Sequence, residues 1–171
     1  METIMETERV YFVRMNEKYV DFYVENMNNP EIYQYISNSP RIYTREDEMG
    51  WIKANKDTDQ FTVIEKVTNK PIGTAGFHEI KNETGEIGIW ITPTAQDKHY
   101  GQEIIKRIID YGYNVMNVKR ITLKVHENNP RAVHVYEKIG FYKNGRPKKI
   151  TDGIGNPTRS IHMTYRKERR N

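Results

Sequence analysis

No cysteine occurs among the 171 residues. That excludes a disulfide scaffold, a thiolate zinc site and any route through a cysteine thioester. Long apolar runs are missing too, and nothing approaches the roughly 20 residues needed to cross a bilayer. The opening METIMETE is acidic where a secretory signal would be basic and then apolar. A cytoplasmic protein with no membrane partner is the expectation. The chain lacks G-x-G-x-x-G and the Walker spacing, so dinucleotide and P-loop readings find no support. No repeat or linker divides it, and its length suits a single domain over 1–171.

The formal charge of +4 suggests a nucleic-acid partner until it is split along the chain. Residues 1–140 carry a net −3 and residues 141–171 a net +7, while 1–60 alone hold 12 acids against 7 bases. No nucleic-acid motif accompanies the basic end, and Tyr142 and Tyr165 form no stacking platform, so no nucleic-acid partner is expected. Arg166 to Arg170 read as a solvated terminus. Lys143, Arg146, Lys148 and Lys149 are left as candidates for a phosphorylated ligand or a neighbouring subunit.

Hydrophobic periodicity divides the chain into alternating elements. Glu8 to Arg14 reads as a strand. Glu17 to Met27 is a helix stopped by Asn28-Asn29-Pro30, and Glu31 to Ser37 is a short one. Thr44 caps a third, with Asp47 three residues on. Gln60–Val67, Pro71–Ile80 and Gly85–Ile91 are strands separated by short turns, which favours an antiparallel meander. Gln102 to Met116 carries a broad apolar stripe on a helix. A strand at Lys119–His126, a helix at Arg131–Ile139 closed by Gly140, and strands at Phe141–Lys143 and Ser160–Arg166 complete the order. The class is α/β (α+β): a mixed, mostly antiparallel sheet with flanking helices.

Two segments carry chemistry. The first is the helix entry Gln96-Asp97-Lys98-His99-Tyr100-Gly101-Gln102. A helix start offers unpaired N–H groups and the positive end of the dipole, which suits phosphate. Lys98 adds a cation and Gly101 permits close approach. The second is Asn129-Pro130-Arg131-Ala132, followed by Tyr136 and Gly140-Phe141. His126 and His134 are eight apart without ligand spacing, so no metal is expected. Trp51 and Trp90 read as packing residues, with Trp90 a candidate to line an acceptor pocket.

The spacing of Asn129, Ala132, Tyr136, Gly140 and Phe141 resembles the GNAT superfamily of N-acetyltransferases, and the element order fits it over the whole chain. Tyr111 with the Arg120–Val125 strand looks like the subgroup holding the spermidine, diamine and ribosomal-protein acetyltransferases. The resemblance implies a splayed parallel pair at 85–91 and 119–126 that takes acetyl-CoA. Ile89 and Ile91 would meet the pantetheine amides, and residues 97–102 would meet the pyrophosphate. Asn129 would contact the cofactor or support its loop, and Tyr136 would serve the leaving sulfur. The acetyl group would pass directly to a primary amine, such as a polyamine or a protein N-terminus. Acids near the first helices (Glu25, Glu31, Glu46, Asp47, Glu48) would attract a cationic acceptor. Glu86 is the candidate base, with Glu79 and Glu83 as rivals. The family loop runs Arg or Gln, two residues, Gly, one residue, then Gly or Ala. Gln96 and Gly101 fit it, but His99 stands at the first glycine and must find an allowed backbone conformation. A non-catalytic acyl-CoA-binding module on the same fold is the alternative, and the turn-rich 151–157 segment suggests a homodimer.

Overall fold

Side-chain caps fix where three of the helices begin. Thr44 and Asp47 form a reciprocal box in which Asp47 N–H donates to Thr44 Oγ1 (3.1 Å) and Thr44 N–H to Asp47 Oδ2 (2.9 Å). Asn29 caps Pro30–Ile36 and Asn129 caps Pro130–Ile139, each with proline at the first helical position, where its missing N–H costs nothing.

The computed structural model describes residues 2–167. In chain order its elements are β1 (Thr3–Glu6), β2 (Val10–Arg14), α1 (Val20–Met27), α2 (Pro30–Ile36), α3 (Arg45–Asn55), β3 (Gln60–Glu65), β4 (Lys70–Lys81), β5 (Thr84–Ile91), α4 (Tyr100–Asn114), β6 (Arg120–His126), α5 (Pro130–Ile139), β7 (Phe141–Lys143), β8 (Lys148–Thr151) and β9 (Pro157–Tyr165). One sheet runs β1-β2-β3-β4-β5-β6-β9-β7, with β8 also on β9. Every pairing is antiparallel except β5 with β6, so the mixed, mostly antiparallel class stands. Of the basic end, residues 168–171 lie outside the described residues. Among the described residues no helix is long and apolar enough to cross a membrane.

The two sheet faces bury different things. Ile104, Ile105 and Ile108 of α4 and Val133 of α5 pack on Ile87, Ile121, Leu123, Val125, Ile161 and Met163. On the other face α1 and α3 close a smaller aromatic core around Met15, Val20, Tyr23 and Ile52, with Trp51 and Trp90 against it. Trp90 stacks on Phe22 with ring centroids 5.6 Å apart. Both tryptophans therefore do pack.

Two strands escaped the sequence reading. β1 has four residues and carries no usable period; it is held by pairing with β2. β8 is short and mostly exposed, and pairs only with the N-terminal half of β9. α4 starts two residues earlier than its apolar stripe, at Tyr100.

One acid is folded inward. Glu48 on α3 is only 5% exposed. Burial pushes its carboxyl up to about 7, Asp47 adds to this, and Arg41 opposes it. Its folded pKa lies above the unfolded value, so between the two the folded state holds the extra proton, and stability falls as pH rises from about 4.5 to about 7. Glu48→Gln is expected to stabilise the fold by about 1–2 kcal/mol near pH 8 and by little near pH 5. Thermal unfolding at both pH values checks this; an equal gain at both would point to packing instead of charge.

Candidate active site

β5 and β6 are in register for only four pairs, from Thr84↔Arg120 to Ile87↔Leu123. Beyond them β6 continues against β9, while β5 runs on to Ile91 with β4 alone. Residues 88–91 therefore present, on the side away from β4, an edge that no strand pairs with among the described residues. A cleft of about 980 Å³ opens there. α2 forms one wall through Glu31, Gln34 and Tyr35; β5, the start of α4 and α5 form the rest. Its volume and mixed lining are those of a small-molecule site.

Most of the residues expected from the sequence meet in this cleft: Ile89, Ile91, Gln96, Asp97, His99, Tyr100, Gly101, Gln102, Asn129 and Tyr136. Trp90 joins them from the aromatic core. Lys98 does not line it, and its side chain is exposed. Glu86 is also outside the lining, its carboxylate 3.7 Å from Lys124 Nζ. Glu79 stands opposite Glu86 in the β4–β5 register, and Glu83 pairs with Lys119 at 3.1 Å in a turn. Of the first-segment acids only Glu31 reaches the cleft; Asp47 is occupied as a cap and Glu48 is buried. Lys143, Arg146, Lys148 and Lys149 lie around β7 and β8, away from it, and the cations that do line it are Arg131 and Lys138.

The loop before α4 is unusual. Asp97 and His99 both have positive φ, 62° and 63°. Left-handed backbone costs a non-glycine residue about 1–2 kcal/mol. It persists where neighbours over-determine it, and two arginines do so here. Arg131 donates to Asp97 Oδ1 (2.5 Å) and Gln96 Oε1 (3.2 Å). Arg9 donates to the Lys98 carbonyl (2.9 Å) and to Glu103 Oε1 (2.7 Å), and its guanidinium lies 4.0 Å from the Tyr100 ring centroid. His99 supplies no side-chain cap, so the N–H groups of the first turn of α4 open on the cleft. The missing glycine is thus met by a histidine in glycine's conformation. Neither arginine was singled out from the sequence, since Arg9 acts 89 residues from the carbonyl it holds.

Tyr136 sits on the cleft wall in contact with Phe141, ring centroids 6.1 Å apart. Among the described residues its hydroxyl makes no hydrogen bond, and burial pushes its pKa up to about 12. It stays protonated at any physiological pH.

The wall carrying α2 is tied to the wall carrying α5 by one carboxylate. Asp152 is fully buried in the β8–β9 loop. It accepts from Asn128 Nδ2 (2.9 Å), Gln34 Nε2 (3.3 Å) and the backbone N–H groups of Ile154 (3.0 Å) and Asn156 (2.9 Å). Burial alone would raise its pKa; these donors outweigh it and hold the carboxyl at about 2. Gly153 N–H donates to the Gln34 carbonyl at 3.0 Å, and a Cβ there would lie 2.1 Å from the Tyr33 carbonyl oxygen. Nearby, His126 is buried with Nε2 3.2 Å from Asn38 Oδ1, and burial lowers its pKa. Among the described residues no group of three His, Asp or Glu side chains is placed to hold a metal.

The splayed pair, the open helix start and the tyrosine on the facing helix meet in one cleft. A sequence model of the acetyltransferase (GNAT) domain matches residues 9–142, and the chain belongs to that family of N-acetyltransferases. Spermidine N(1)-acetyltransferase of Vibrio cholerae is 30% identical over 129 residues, covering 72% of this chain and 73% of that protein. The uncharacterized N-acetyltransferase p20 of Bacillus licheniformis is 29% identical over 152 residues, 85% of each chain. Among solved structures, a GNAT-family acetyltransferase from Bacillus anthracis superimposes with a TM-score of 0.81 at 25% identity, covering 94% of this chain and 96% of that one. The Vibrio cholerae spermidine N-acetyltransferase solved with CoA and spermine gives a TM-score of 0.81 at 24% identity over 92% of this chain and 95% of that one, a likeness of fold.

Proposed function

We propose that this protein transfers an acetyl group from acetyl-CoA directly to a primary amine of a cationic small molecule, with polyamines the first class to test. The observation that carries the reading is the strand edge at residues 88–91, which lacks a neighbour in the middle of a sheet and faces a cleft. A ligand with amides along its length would complete it as an added strand. The open N–H groups of Tyr100, Gly101 and Gln102 suit its pyrophosphate, and Arg131 keeps the Asp97 carboxylate from opposing that charge. Acetyl-CoA supplies the activated thioester. Tyr136 donates a hydrogen bond to the charge that develops on sulfur. With no cysteine in the chain, direct transfer needs no thiol-linked acyl-enzyme. Glu31 at the α2 wall favours a cationic acceptor, and relatives named spermidine acetyltransferases support the choice of polyamines.

The test is to incubate the protein with acetyl-CoA and a panel of amines, following free thiol. Turnover with spermidine or spermine above neutral-bodied amines at low salt is the expected result. Failure to bind acetyl-CoA would overturn the reading, and binding without turnover across the panel would identify a non-catalytic module.

The arginine brace makes a separate prediction. Arg9→Ala is expected to weaken acetyl-CoA binding about tenfold, or about 1.4 kcal/mol, with kcat within about threefold because the residue is remote from the acyl end. Isothermal titration of CoA against both proteins measures it, and an unchanged dissociation constant would show that the loop holds its shape unaided.

A further inference from the structure

The β4–β5 ladder slips by one residue beside the splay. Phe77 pairs with Ile87 and Glu79 with Glu86, so His78 is the extra residue of a β-bulge. Bulges re-aim side chains and are over-represented beside active sites. Here the imidazole is turned onto Gly88: a Cβ at that glycine would lie 1.8 Å from His78 Nε2 and 2.3 Å from its Cε1. Any other residue at 88 would evict the ring. Glu86, Gly88 and Trp90 alternate onto one face of β5; Trp90 lines the cleft, while His78, with Gly88 and Glu86, lies just behind that lining. Gly88 is also the first residue of β5 beyond the last pair with β6. A basic nitrogen is thereby held where the splay opens, while the histidine as a whole keeps an exposed flank.

We propose that His78 is the base that takes a proton from the acceptor nitrogen, with Glu86 as its electrostatic partner. This rests on the acetyl-transfer reading and assigns its proton path. Overall the acceptor ammonium loses two protons, one ending on the thiol sulfur and one in solvent. The first is lost as the amine becomes nucleophilic. As the C–N bond forms and the C–S bond breaks, the nitrogen grows strongly acidic, and His78 Nε2 accepts the second proton. The imidazolium then releases it to water over its exposed flank, as the first had gone to water, and the thiolate held by the Tyr136 hydrogen bond takes one proton back from water, which leaves one on sulfur and one in solvent.

The charges around the ring agree with the role. Desolvation of the packed edge is the leading influence and lowers the imidazole pKa; Lys124 on β6 acts the same way, Glu86 on β5 opposes them, and the net shift is downward. Glu79, the register partner of Glu86, is the other acid on the bulge. The ring is therefore neutral and able to accept a proton at neutral pH. Glu86, tied to Lys124, tunes this site without lining the cleft.

The test is the pH profile of kcat/KM for the acceptor, from about pH 5.5 to 9.5, in wild type, His78→Gln and Glu86→Gln, with CoA affinity measured by calorimetry on each. In wild type the profile should show an acid limb below neutrality. His78→Gln is expected to lower kcat by roughly 30-fold or more and to abolish that limb, with CoA affinity within about twofold. Glu86→Gln should keep the limb but move it to lower pH, since removing the anion disfavours the imidazolium. Gly88→Ala, which puts a methyl where the ring sits, should reproduce the His78→Gln profile. If His78→Gln leaves the limb in place, or Glu86→Gln moves nothing, His78 is not the base. A loss of CoA binding in parallel with turnover would make the ring a packing residue. Should His78→Gln fold poorly, addition of imidazole to His78→Ala decides, since restored turnover requires a proton acceptor at that place. If wild type itself neither binds nor uses acetyl-CoA, the acetyl-transfer reading has failed independently of this one.

Discussion

Tyr136→Phe is expected to lower kcat by about 100-fold, at the lower end of the range for a positioned acid or base, while the affinity for acetyl-CoA stays within about twofold. The substitution removes only an oxygen. The ring keeps its contact with Phe141, and α5 keeps its Asn129 cap and its glycine end, so the wall of the cleft is preserved. At a pKa of about 12 the phenol holds its proton more tightly than a free thiol, near 8.5. On the proposed reading its contribution is therefore a hydrogen bond to the sulfur while charge builds. It also follows that Tyr136 adds no limb to a pH profile measured below about pH 10. Comparison of kcat, KM and calorimetric affinity for the two proteins decides. A matched loss in kcat and in CoA binding would assign the residue to packing.

The second large effect concerns Asp152. Asp152→Asn should cost about 2–4 kcal/mol of stability, because two amide donors and two backbone N–H groups converge on a carboxylate with no access to water. The new amide would bring its own donors against those of Asn128 or Gln34. Since the carboxyl titrates near 2 when folded and near 3.8 when free, its stabilisation is full above about pH 4 and is lost as pH falls from there towards about 2. The variant should therefore lie closest to wild type in acid. Urea unfolding at about pH 7 and about pH 3 measures this. Pairing it with Gln34→Glu reverses donor and acceptor across one contact and should recover part of the loss; no recovery would mean that Gln34, at 3.3 Å, is a bystander.

The contrast between these residues says what a single chain makes legible. Tyr136 was visible because its spacing from Asn129 and from Gly140-Phe141 is local, written along one helix and its two ends. The helix starts at Thr44 and Asn129 were visible for the same reason, whereas Asn28-Asn29-Pro30 read as the end of one helix although Asn29 also caps the next. His99 was legible as an anomaly, though not its resolution, because the φ value that admits it depends on Arg9 and Arg131. Those arginines, like Asp152 and His78, gain their roles from partners brought near by topology. His78 shows the difficulty most sharply. Its relation to Gly88 exists only once the β4–β5 register is known together with its one-residue slip. β1 and β8 were missed on other grounds: strands so short and so exposed carry no alternation to read. Of the acids in the first segment only Glu31 lines the cleft, since capping consumes Asp47 and the core takes Glu48.

The four-pair seam between β5 and β6 has a mechanical meaning. It divides the sheet into two plates, β1 to β5 and β6 to β9, joined strand to strand along a short line and beyond it by the shared core under α4 and the Asp152 bonds. Across the open end the Arg131–Asp97 contact acts as a latch, joining α5 to the loop ahead of α4. The angle between the plates is thus held by four strand pairs at one end and by side-chain bridges at the other, and a ligand completing the β5 edge would touch both plates.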